Sequence, residues 1–125
     1  MDSSLKQVRA EKKQRGRALK KTLERVTRYL IDQGALKIVL FGSFAGVENL
    51  RRTRRGADLD ILCVMPPFLS GRKWMARIYA ETDRDVDCDI LAFTEDELER
   101  ALPVSGFVRR ALETGRILYE KRPEG

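Results

Sequence analysis

The chain contains no histidine in 125 residues. That excludes Ser-His-Asp and Cys-His catalysis and any His-ligated zinc site. Cysteine is scarce: Cys63 and Cys88 are the only two, and they lack CxxC or metal-ligand spacing. Each is expected inside a strand, facing away from the acids of that strand, as a small core residue. No apolar run reaches membrane-spanning length. The N-terminus is polar and charged, without the apolar segment of a signal peptide. The chain therefore reads as soluble and cytoplasmic, with no membrane partner. Its chemistry is left to carboxylates, hydroxyls, Lys, Arg or a bound metal ion.

A chain of this length fits one domain with its own core and needs no disulfide framework. Lys and Arg number 25 against 19 acids, a net charge of +6. That sign favours anionic partners: nucleotides, nucleic acid or an acidic protein face.

Residues 3–33 read as a long helix, capped by Ser3 or Ser4 and stopped by Gly34. Its second half carries the apolar stripe Leu19, Leu23, Val26 and Leu30. Its first half is basic, and Gly16 marks a weak point before which the helix is expected to project or fray. Strands are expected over 37–41, 57–65 and 86–93, with a short final strand or tail over 116–119. Helices are expected after Ser70, after the capping box begun by Thr94, and after Ser105. The whole reads as a basic N-terminal helix over 1–34, an α/β core over 35–120 and a flexible tail over 121–125. The sheet is expected to be covered by helices.

Two features carry chemistry. Gly42-Ser43 follows the apolar run Ile38-Val39-Leu40-Phe41, and Asp58-Leu59-Asp60 opens the next apolar run. A glycine turn after a strand can offer backbone N–H groups and a hydroxyl to a phosphate. Carboxylates at i and i+2 on a strand share one face. Either feature alone is common at ordinary turns and strand ends; their joint order is what points to a site. A third acid on a neighbouring strand, Asp87 or Asp89, would complete an oxygen-only cluster suited to Mg²⁺ or Mn²⁺. Gly42 and Ser43 would then hold a triphosphate. The run Arg51-Arg52-Thr53-Arg54-Arg55 reads either as a solvated loop or as a cationic lid in which Arg54 and Arg55 contact phosphates.

These residues resemble a known family. Leu40-Phe41-Gly42-Ser43-Phe44-Ala45 and Ala57-Asp58-Leu59-Asp60-Ile61-Leu62 are similar to the signature of the minimal nucleotidyltransferases, within the DNA polymerase beta-like superfamily. Cys88 to Leu98 resembles the family's third-acid strand with the helix after it, and 107–120 its closing helix and strand. The likeness spans about 37–120. It implies a mixed sheet with helices on one face. It implies Asp58 and Asp60 as metal ligands, Asp89 as third ligand or base, Gly42 and Ser43 as phosphate binders, and ATP as substrate with Mg²⁺ or Mn²⁺. Phe44-Ala45-Gly46-Val47 departs from the family's basic-Ala-Arg-Gly sequence after the Gly-Ser pair, and the Arg-rich loop is longer than usual.

The leading expectation is transfer of a nucleoside monophosphate, AMP from ATP, to a hydroxyl on a partner protein. The resemblance suggests a HEPN-type toxin that the chain would serve as antitoxin; little sequence remains outside the core for an acceptor-binding domain, so the hydroxyl is expected on such a partner or within a homo-oligomer. The rival is a non-catalytic module of the same fold whose basic loop and N-terminal helix dock an acidic protein or RNA. Aminoglycoside transfer fits least, given the positive charge and the absence of a substrate domain.

Overall fold

The computed structural model describes residues 2–42 and 58–122. Among them run α1 (Asp2–Asp32), β1 (Lys37–Phe41), β2 (Leu59–Val64), α2 (Gly71–Glu81), β3 (Cys88–Phe93), α3 (Glu95–Ala101), α4 (Gly106–Thr114) and β4 (Arg116–Glu120). The four strands form one mixed sheet in the order β3-β2-β1-β4. β1 is antiparallel to β2 and β4, whereas β2 and β3 are parallel and joined through α2. The expected mixed α/β architecture is present, with its long N-terminal helix.

The structure departs from the sequence expectations in three places. First, α1 begins at Asp2, so Ser3 and Ser4 lie inside it, and it runs unbroken through Gly16. Gly costs only about 1 kcal/mol against Ala in a helix, and good helix formers (Lys, Arg, Ala, Glu) surround it. Second, β2 and β3 start later than expected, at Leu59 and Cys88. Asp58, Asp85 and Asp87 therefore lie ahead of the strands. The Asp87 N–H donates to the Asp58 carboxylate at 3.3 Å, a side-chain bond that competes with ladder pairing there. Third, helices cover both faces, not one. Every residue of β2 is buried, so each face of the central strands needs its own cover.

One face holds Ile38, Leu40, Leu59, Ile61, Cys63, Ile90 and Ala92, packed under Leu19, Val26 and Leu30 of α1 and Trp74 and Ile78 of α2. The other holds Val39, Phe41, Leu62 and Val64 beneath Val108 and Ala111 of α4, with Leu98 of α3 beside them. The cysteines fall on the first face and the acids of their strands on the second, as the alternation requires.

Local signals fix the ends of the elements. Gly34 takes φ +97°, open to glycine at little cost. Its N–H donates to the Ile31 carbonyl while the Ala35 N–H donates to the Leu30 carbonyl, a Schellman stop that turns the chain into β1. Ser70 and Ser105 cap α2 and α4, and Thr94 with Glu97 forms a reciprocal capping box on α3. Among the described residues no helix is long and apolar enough to cross a membrane.

Candidate functional site

The parallel pairing of β2 and β3 sets Asp60 directly opposite Asp89. The antiparallel pairing of β1 and β2 sets Phe41 on the other side of Asp60. All three side chains share the sheet face of Leu62 and Val64. Asp60 is 2 % exposed, whereas Asp89 is exposed. The sheet thus brings together one buried and one open carboxylate at the end where β2 and β3 begin.

Asp58 lies in the bend one residue before β2. Its carboxylate accepts the guanidinium of Arg15, from α1, and the N–H of Asp87. The Asp87 carbonyl in turn accepts from the Leu59 N–H at 3.1 Å, fastening the two strand starts together. Gly42 follows Phe41 with φ +82°, in the left-handed region that a side chain would disfavour. Gly42 is thus one residue beyond the Phe41–Asp60 pair of β1 and β2. Ser43, Arg54 and Arg55 lie outside the described residues.

Two contributors were not assigned to this site from the sequence. Arg15 lies in the basic first half of α1. Yet it precedes Leu19 by four, so it continues the core-facing stripe of α1 one turn past the sheet. That phase was the available signal. Tyr79, in α2, accepts the Ile90 N–H at 2.7 Å and donates to the Cys88 carbonyl at 3.2 Å. Its hydroxyl pins the backbone on both sides of Asp89 at the open edge of β3. Burial raises the Tyr79 pKa, and Asp89 adds to the rise, so the hydroxyl stays protonated.

The thiols are not nucleophiles. Burial pushes Cys63 up to about 12. Burial also pushes Cys88 up to about 11; Arg84 opposes this, and the charges of Asp58, Asp87 and Asp89 add to it.

The donor set is carboxylate oxygen alone, which fits a hard cation such as Mg²⁺ or Mn²⁺ and not zinc. The strand register fits it too. Among the described residues, however, no three such side chains are grouped closely enough to hold an ion together; Asp58 is turned toward Arg15 instead. A cavity of about 590 Å³ lined by Leu36, Lys37, Val64 and Glu120 lies at the opposite end of the sheet, away from the acids. No protein-family model, curated protein or solved structure matches the chain.

Proposed function

We propose that the chain is a divalent-metal-dependent nucleotidyltransferase of the polymerase beta-like fold. It moves AMP from ATP to a hydroxyl on a partner protein, for which a HEPN-type toxin is the leading candidate. The observation that carries this reading is the pairing of Asp60 with Asp89 across parallel strands, with Asp58 two residues ahead and the Gly42 turn alongside. Asp58 and Asp60 are the metal ligands, and Asp89 is the third ligand or the base. A bound Mg²⁺ or Mn²⁺ supplies neutralisation of the triphosphate and of the charge on the departing pyrophosphate. Gly42 presents its backbone to the phosphates. Asp89, the open carboxylate, takes the acceptor's proton as its oxygen bonds the α-phosphorus and the α–β phosphoanhydride breaks.

The test is transfer from α-labelled ATP in a cell lysate, followed by identification of the tagged molecule. The expected result is a magnesium-dependent label on one protein. A label absent, or unchanged by EDTA, would contradict the reading.

Arg15 bears on the same site. Its ion pair with Asp58 has to open before Asp58 can take a metal, and the pair is partly exposed, so it is worth no more than about 1 kcal/mol. Arg15→Gln is therefore expected to tighten Mn²⁺ binding about two- to fivefold, read by paramagnetic titration. Weaker binding in that variant would remove Asp58 from the ligand set.

The second reading, a non-catalytic module that docks an acidic protein or RNA, draws on the basic first half of α1 and on the Arg15–Asp58 pair. The lysate assay separates the two, since only the first transfers label.

A further inference from the structure

The whole excess charge of the chain lies at one end. Residues 1–21 carry eight Lys or Arg and two acids, a net +6; the remaining 104 residues carry 17 of each and are neutral. Five of the cations, Lys6, Arg9, Lys13, Arg17 and Lys20, follow one another at spacings of three, four, four and three. At 3.6 residues per turn they fall within about 80° of one another, a single stripe about 21 Å long. Leu19, Val26 and Leu30, which face the core, lie on a different side of the same helix, roughly 120° away. All five cations are exposed. None pairs with a carboxylate among the described residues.

Position adds to the pattern. Among the described residues the apolar contacts of α1 with the core begin at Leu19. The helix before it extends beyond the sheet end where Asp58 sits, as the Arg15 contact shows. That half has one exposed large apolar side chain among the described residues, Val8.

We infer that this stripe is a docking surface for the sugar-phosphate backbone of a nucleic acid. A protein partner would need an apolar or aromatic centre to its interface, and a membrane-surface helix would need a broad apolar face; the described residues of this half of α1 supply neither. A phosphate backbone needs only regularly spaced positive charge. About 21 Å of one duplex strand presents about six phosphates, close to the five cations of the stripe. The inference is independent of nucleotide transfer, because binding is read without ATP.

The experiment is fluorescence anisotropy of the full chain with a labelled 20-base-pair duplex, titrated at several salt concentrations. With one phosphate neutralised per cation, the log–log salt slope is expected near −4.5, from about 0.9 per contact. Replacing Lys6, Arg9, Lys13, Arg17 and Lys20 together by Gln, a good helix former, is expected to bring the slope near zero and weaken binding at least about a hundredfold at low salt. Replacing five exposed cations elsewhere by Gln (Arg72, Lys73, Arg100, Arg110 and Arg122) lowers net charge equally and is expected to leave most of the affinity. A wild-type slope shallower than about −2 would overturn the inference whatever the variants do. So would equal losses in both variants, or tighter binding to polyglutamate or to anionic vesicles than to the duplex.

Discussion

Asp60→Asn is expected to lower nucleotidyl transfer about a thousandfold or more, equivalent to about 4 kcal/mol of lost transition-state stabilisation. The substitution keeps the shape of the side chain and removes its charge. Asp60 is the buried member of the pair, held between Phe41 and Asp89 by register on both sides. Asp87→Asn is the control. Asp87 is exposed, and the contacts it makes to Asp58 and Leu59 use its backbone, so transfer is expected to stay within about threefold of wild type. Single-turnover transfer of labelled AMP measures both variants. Equal losses at the two positions would mean that general negative charge, and not the Asp60 position, matters.

Trp74→Ala is expected to destabilise the fold by about 3–5 kcal/mol. Trp74 is fully buried in the cluster beneath α1 and α2. Its indole N–H donates to the Pro66 carbonyl at 2.8 Å, and the Phe68 ring meets it edge-on at 5.2 Å. Truncation opens a cavity and leaves that carbonyl without its donor, and both effects act in the same direction. For a chain of this size the melting temperature should fall roughly 10–20 °C, measured by circular dichroism. Trp74→Phe, which keeps most of the volume, should cost markedly less. A loss below about 1 kcal/mol for Trp74→Ala would show that α2 is not part of the cooperative core.

The two effects reflect different parts of the chain's logic, and they were not equally readable. Local chemistry was legible. The Thr94–Glu97 box, the Ser70 and Ser105 caps and the Gly34 stop are written within four or five residues each, and each formed as local chemistry dictates; the cap expected at Ser3 or Ser4 did not, since α1 begins before both. Strand alternation put Cys63 and Cys88 opposite the acids of their strands. Lys37–Phe41 was bounded by its own apolar run. What needed the structure was non-local. A run such as Leu59–Val64 gives no direction for its neighbour, so the parallel pairing with β3, and hence the Asp60–Asp89 juxtaposition, could not be read from alternation. Coverage of both faces followed from burial of the whole of β2, which periodicity in one strand does not reveal. Arg15 meets Asp58 across 43 residues of sequence, and only its helical phase hinted at that meeting. Ser43, Arg54 and Arg55, assigned to phosphate contact from the sequence, lie outside the described residues; the proposal at that end rests on Gly42.

The most direct measurement is a crystal structure with Mn²⁺ and a non-hydrolysable ATP analogue. One anomalous peak is expected about 2.1 Å from carboxylate oxygens of both Asp58 and Asp60, with Asp89 in the same shell or facing the α-phosphate. Arg15 should be displaced from Asp58. A nucleotide bound elsewhere, or Asp58 still paired with Arg15 and no metal between the strands at saturating Mn²⁺, would contradict the account.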